Sequence, residues 1–460
     1  MEYESLLKKA VKLGADYADL RIADFNVQNI ISENSSLSSV QNNDLYSYGV
    51  RAFIKGAWGT SFGNDITNLE KSIKTAVKLA KLSSGRINEK FDLKDFPVYR
   101  ENVKSKAKID PRDISVEEKI KHVIEYDKNL NEKPVVSRTI SLGFVSGTNE
   151  FYNTDGSEIK EEKLSLRFYA QIAAKEGNKI QKAFDRRGLM AGYERFERMD
   201  TNKFCSDLKE SVKRLLHAEK APAGKMPIVI DPVLCHVFFH EAVGHACEAD
   251  AILEKVSVLR GKLGKKIAPD FLTLSDDPNV PEENGFYKYD SEGMRGKEAM
   301  LIKKGILSEF MNSRETASKM NAKPNGHGRA ENPSMMPCPR MSNTVLYPGK
   351  YKFEELLENI KHGVYAKGSS GGVVNPVDGN FLFNSQEAFL IENGKLTRPL
   401  IDVSFGGNIL DTLKNVEKIG RDQIPCLVGG YCGKKGQLVP VCGKTPSIKI
   451  SEAIVGGANK

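Results

Sequence analysis

Pro227-Ile-Val-Ile230, followed by Asp231-Pro232-Val-Leu-Cys235-His236-Val-Phe-Phe-His240-Glu241-Ala-Val-Gly-His245, is the stretch that decides how this chain reads. The first four residues have the apolar, β-branched character of a buried strand. Asp231-Pro232 then pairs a helix-capping carboxylate with the proline tolerated at a first helical position. From Val233 to Phe239 only Cys235 and His236 interrupt the apolar run, which predicts a helix buried on all sides. His240, Glu241 and His245 continue that helix.

Two imidazoles and a carboxylate on one buried helix suit hydrolytic zinc chemistry. Imidazole nitrogens hold the ion and leave a position open for water. The metal lowers the pKa of that water, and a carboxylate takes its proton. The spacing is unusual, because the histidines are five residues apart rather than four. At about 3.6 residues per turn, that separation leaves the side chains ~140° out of line on a regular α-helix. The spacing therefore predicts a π-bulge, or a bend at Gly244, between His240 and His245. His236 and His240 are four apart and form a competing pair on the helix alone. Local sequence leaves the third ligand open among Cys247, Glu248, Asp250, His327, Cys426, Cys432 and Cys442. Cys432 stands out in Gly429-Gly430-Tyr431-Cys432-Gly433, which reads as a flexible, glycine-flanked turn.

Outward from this stretch, Ala218-Glu-Lys-Ala-Pro-Ala-Gly-Lys225 is the best boundary, being small, charged and rich in chain breakers. It divides the 460 residues into an N-terminal scaffold or dimerisation unit, 1–220, and a catalytic unit, 221–460. The length suits two such units. The expected fold class is α+β: an N-terminal α/β sheet-and-helix domain, then a β-rich, barrel-like C-terminal domain carrying the metal-binding helix. In the first half, residues 3–13 read as an amphipathic helix and Ala18–Ala23 as a strand. Alternating segments follow at Val27–Ser32 and Leu45–Ile54, with Gln41-Asn-Asn-Asp44 as a polar turn. Asp65–Ser83 reads as a helix, Ser115 with Glu118 as the cap of another, 135–185 as alternating strands, and Asn202–His217 as a helix. Trp58, the only tryptophan, is expected at a domain or dimer interface. Glycine-dense loops, Pro324–Arg329 and Gly368–Gly372 among them, place the chemistry in the second half.

Composition excludes several classes. The net charge of +8 comes from 68 basic and 60 acidic side chains, interleaved almost everywhere, so no nucleic-acid footprint is present. No apolar run reaches the roughly 18 residues a membrane span needs. The N-terminus lacks a signal core, and the seven cysteines are scattered without a CxxC pair. These features lead to the expectation of a reducing, cytoplasmic setting without membrane contact.

His240-Glu-Ala-Val-Gly-His245 resembles the HExxxH signature of the TldD/PmbA family, in particular its catalytic TldD-type subunit. The resemblance extends to Gly49-Val-Arg51, Gly56-Ala-Trp-Gly59, Asn325-Gly-His-Gly-Arg329, Pro339-Arg-Met-Ser-Asn-Thr344, Pro348-Gly-Lys350, Ile391-Glu-Asn-Gly-Lys395, Cys432-Gly-Lys-Lys-Gly-Gln437 and Val455-Gly-Gly457. It covers nearly the whole chain. It implies a Zn2+-dependent metallopeptidase that cleaves unfolded or flexible peptides within an enclosed cavity. His240, His245 and Cys432 would be the metal ligands and Glu241 the general base. Asn325, Gly326, Arg329 and Arg340, in family-like loops, are candidates for substrate binding. A heterodimer with a TldE/PmbA-type subunit, or a homodimer, is implied as the assembly. The other reading in view is a non-catalytic peptide-binding or regulatory subunit. His236 departs from the apolar residue expected at its position, and His327 reads as a loop histidine. Substrate is expected to bind extended, adding a strand to a sheet edge.

Overall fold

The structure is a computed structural model that describes residues 2–87 and 90–457. It is a mixed α+β chain, as its patterning predicts. Tyr17–Glu33 (β1) and Ser36–Ile54 (β2) form one long antiparallel hairpin. Ala57–Gly63 (β3), Arg100–Val103 (β4), Val135–Asn153 (β5), Glu158–Glu176 (β6) and Lys179–Leu189 (β7) complete the first sheet. Its order is β3-β2-β1-β5-β6-β4, with β7 also paired to β6. Gln41-Asn-Asn-Asp44 is not a turn but lies inside β2, laddered to Val27 and its neighbours. These residues meet solvent, so no burial pattern marks them as strand; the backbone ladder holds them, with Asn26 Nδ2 donating across it to Asn42 and Asp44. The true turn is Asn34-Ser35, with φ of 51° and 66°.

Helices cover one face of this sheet. Glu2–Lys12 (α1) and Leu69–Ser84 (α2) close a core around Leu7, Leu20, Val50, Ile73 and Val77. Val116–Asn129 (α3) begins where Ser115 Oγ accepts the Glu118 N–H, as its sequence predicts. With the helix Thr201–Leu216, α3 closes a second core around Val123, Phe168, Ile172 and Leu208.

In the second half, a ten-stranded sheet has Gly224–Ile230 near its middle, between Ile448–Gly457 and His362–Lys367. A seven-stranded sheet includes Asn343–Leu346 and Gln437–Thr445, paired in parallel. Between these elements lies the helix Pro232–Phe239. Its Phe238 packs edge-on against Phe239, Phe381 and Phe383. The all-round apolar sequence of the helix follows from this enclosure.

The halves are joined by buried charge. The Arg51 guanidinium donates to both oxygens of Asp19 at 3.0 Å and to Glu292 Oε1 at 2.9 Å. Trp58 stacks edge-on with Tyr17 and Phe53, and its Nε1 donates to Glu315 at 3.0 Å, bridging the first sheet to the second half.

Candidate metal centre

The strand Gly224–Ile230 delivers the chain to Asp231, whose carboxylate accepts the Leu234 N–H at 2.8 Å. The helix runs regularly to Phe239. His240–Gly244 is then a single π-helical turn, in which the His245 N–H bonds the carbonyl of His240. A turn widened by one residue offsets the five-residue spacing, so both imidazoles face the same point. Their ring centroids are 5.4 Å apart and the rings are nearly perpendicular. Gly244 permits the close packing there: a Cβ would lie 1.9 Å from Met341 Sδ.

Cys432 enters from 187 residues away, with Sγ 3.4 Å from His245 Nε2. It does not sit on a flexible turn. It is a buried residue of the strand Gly430–Lys434, paired with Val439 across a hairpin whose two-residue turn, Lys435-Gly436, has φ of 50° and 72°. Arg340, fully buried, donates to the carbonyl of Cys432 and so fixes this strand. One ligand atom each from His240, His245 and Cys432 lie within 4.8 Å of one another. Burial raises the Cys432 thiol, but His240 and His245 outweigh it and hold the group at about 5. Burial also disfavours charged imidazoles, yet Cys432 at His240 and Glu248 at His245 raise both. A thiolate and two imidazoles this close are a donor set that fits a tetrahedral transition-metal ion. Glu241 stands beside them, 29% exposed, with Oε2 3.7 Å from His245 Nε2. The carboxylate thus borders the cluster on a side open to solvent.

The other acids near the helix support the cluster from behind. The His245 Nδ1–H donates to Glu248 Oε2 at 3.0 Å, which leaves Nε2 for the cluster. Lys434 Nζ meets the same oxygen at 3.0 Å and Asp250 at 2.6 Å. Glu248 and Asp250 have the residue types of ligands in the sequence, whereas nothing local marks Lys434 as their partner. The pairing depends on a turn next to Cys432, too remote for a local signal. His236 packs against His240, with ring centroids 5.7 Å apart, and is held neutral: burial and then His240 push it to about 3. It is not among the three clustered side chains. Cys247, Cys426 and Cys442 are buried free thiols raised by burial.

The loop candidates fall in different places. Asn325 is buried and bonds Asn312, Glu309 and Phe310. Gly326 holds a turn at φ 69°, where a Cβ would lie 2.5 Å from the Arg295 carbonyl. His327 is fully enclosed, 3.1 Å from Asp276, and is not among the three clustered side chains. Arg329 lines a cavity and donates to the carbonyls of Met341 and Pro440.

Three models of PmbA/TldA metallopeptidase domains match this chain: domain 1 over residues 18–80, the central domain over 109–219 and the C-terminal domain over 223–457. A metalloprotease of Methanocaldococcus jannaschii is 39% identical over 95% of this chain and 96% of its own length. A zinc metalloprotease TldD homolog of Saccharolobus solfataricus is 29% identical over 98% and 99%. The crystal structure of TldE from Thermococcus kodakarensis superposes with a TM-score of 0.78, at 19% identity, over 99% of this chain and all of the other; it shows the shared fold.

Proposed function

This chain belongs to the PmbA/TldD metallopeptidase family, and on that premise we propose that it is a zinc-dependent peptidase acting on unfolded or flexible peptides. His240, His245 and Cys432 hold the ion and Glu241 is the general base. The observation that carries this reading is the convergence of the three ligand atoms within 4.8 Å beside an accessible carboxylate. Zinc is favoured by the imidazole–thiolate donor set and by the printed name of the Saccharolobus relative.

Bound there, zinc supplies Lewis acidity toward a substrate carbonyl and acidifies water. The chain's own residues do the rest. Glu241 takes a proton from the attacking water and returns it to the leaving amine. Glu248 keeps the His245 proton on Nδ1, and Arg340 keeps the Cys432 strand in place. The strand Gly371–Val374 ends the large sheet and packs against the π turn. Its outer edge has no ladder partner among the described residues, so an extended peptide can pair there by main-chain hydrogen bonds beside Glu241. A TldE-type subunit is the proposed partner, in keeping with the fold shared with the Thermococcus protein.

The test is cleavage of an unfolded polypeptide by zinc-loaded protein, alone and with a TldE-type subunit. Activity that is lost with a chelator, restored by zinc and reduced at least about a hundredfold in Glu241→Gln supports the reading. Equal turnover by wild type and Glu241→Gln would sink the mechanism.

A further inference from the structure

A cavity of about 400 Å³ separates the uncovered face of the first sheet from the loops of the second half. Its wall carries four cations. Arg21 is 6% exposed; its Nη2 donates to the carbonyls of Pro333 at 2.9 Å and Met335 at 2.8 Å, while Nε and Nη1 have no hydrogen-bond partner among the described residues. Lys163 makes no side-chain hydrogen bond or ion pair among the described residues. Burial lowers its pKa, with Glu161 opposing and Arg329 reinforcing the shift. Arg167, exposed, lies with its guanidinium carbon 4.5 Å from the centre of the Tyr431 ring and has no carboxylate partner among the described residues. Arg329 completes the set through its bonds to Met341 and Pro440.

The carboxylates of the same wall are engaged elsewhere. Glu150 accepts from Tyr152 at 2.8 Å and Lys160 at 2.7 Å. Glu161 accepts the Lys288 N–H at 3.0 Å and Glu331 the Leu438 N–H at 2.8 Å. Asp290 accepts the backbone N–H groups of Glu292, Met294 and Gly328, and burial together with Glu292 raises it to about 8. Arg21 is enclosed with two donors unpartnered, which is costly, while half-buried Lys163 and exposed Arg167 bring two further cations without carboxylate partners among the described residues to the same cavity; together they call for an anion. Phe25, Val27 and Phe151 supply apolar wall between the charges. A free inorganic anion has no use for that surface, whereas a peptide segment has. The volume is that of a small-ligand site.

We propose that this cavity is an exosite for a carboxylate-bearing segment of a peptide substrate, held by Arg21, Lys163, Arg167 and Arg329. The proposal rests on the peptidase reading, and none of the three candidate metal ligands lines this cavity. Cys432 and Val439 face the metal helix, while their neighbours Tyr431 and Pro440, paired across the same hairpin, belong to the cavity side. The exosite therefore selects acidic chains without touching the bond that is cut.

Binding is measured directly, with a labelled Glu- and Phe-containing peptide and its Gln-for-Glu counterpart, on the Glu241→Gln protein. The acidic peptide should bind at least about tenfold more tightly. Lys163→Gln, whose side chain makes no hydrogen bond or ion pair among the described residues, and Arg167→Gln, which gives up only its stacking on Tyr431, should each remove much of that preference. In the wild type, Lys163→Gln should raise KM for the acidic peptide and leave the neutral one unchanged. Equal binding of the two peptides, or a preference untouched in both Lys163→Gln and Arg167→Gln, overturns the proposal. So does displacement by inorganic phosphate at concentrations comparable to the peptide, which would make the site one for a free anion. Because binding is read without turnover, failure of the peptidase reading leaves this result intact, and persistent cleavage with equal binding isolates failure of the exosite.

Discussion

Replacing Glu248 by glutamine tests whether the residues behind the cluster tune it. Glu248 is 1% exposed and its Oε2 receives both His245 Nδ1–H and Lys434 Nζ, each at 3.0 Å. A glutamine carbonyl can still accept from Nδ1, so the tautomer of His245 is kept and one negative charge is removed. Loss of such a partner typically costs ten- to a hundredfold in metal affinity, about 1.4–2.7 kcal/mol. The fold should suffer less than the ~3–5 kcal/mol of a stranded buried charge, because Lys434 retains Asp250 at 2.6 Å and the Pro339 carbonyl at 3.0 Å. Competition against a fluorescent zinc chelator at fixed pH reads the affinity. Thermal unfolding of metal-stripped protein reads the fold separately. Glu248→Ala, which also frees the tautomer, should lose more affinity than Glu248→Gln. Affinity within twofold of wild type in Glu248→Gln would show that the Glu248 charge does not tune the cluster. So would a Glu248→Ala no worse than the amide.

Three further outcomes follow from the same structure. Arg51→Ala leaves Asp19 and Glu292 buried without their common cation and should cost about 3–5 kcal/mol in chemical denaturation, without altering the metal ligands. In Gly443→Ala the new Cβ would stand 2.2 Å from His236 Nδ1 and 2.6 Å from the Thr344 carbonyl; stability should fall by about 1–3 kcal/mol, and zinc affinity should fall with it because His236 packs on His240. Burial pushes the Glu283 carboxyl up to about 7, despite the nearby Cys442 thiol and Lys444. A raised carboxyl favours the fold when protonated, so its contribution is full below the usual pKa of about 4.5 and is lost as pH rises through about 7. The stability of wild type relative to Glu283→Gln should therefore decline between pH ~5 and ~8; parallel pH profiles of Tm would contradict this.

Much of the site was legible where its physics is local. The Asp231-Pro232 cap, the apolar run to Phe239 and the five-residue histidine spacing predicted a buried helix with a distortion, and the π turn at His240–Gly244 is that distortion. Ser115 announced α3 in the same way. Reading failed where tertiary contacts decide. Gln41–Asp44 carries the composition of a turn but is held as strand by its ladder to β1. Cys432 carries the glycines of a flexible loop but is pinned in a hairpin by Arg340 and a tight Lys435-Gly436 turn. Glu248 and Asp250 have the chemistry of ligands, and only the arrival of Lys434 from a remote hairpin makes them supports instead. The cations facing the cavity come from separate strands and loops, so no spacing along the chain could have grouped them.

A π turn and a remote hairpin together bring two imidazoles and one thiol to a point where a single metal ion would take all three. X-ray absorption at the zinc edge of the loaded protein measures this directly. Two imidazole nitrogens at about 2.0–2.1 Å and one sulfur at about 2.3 Å are expected, with the sulfur shell absent in Cys432→Ser. A zinc site with no sulfur in the wild type, or a sulfur shell that survives Cys432→Ser, would contradict it.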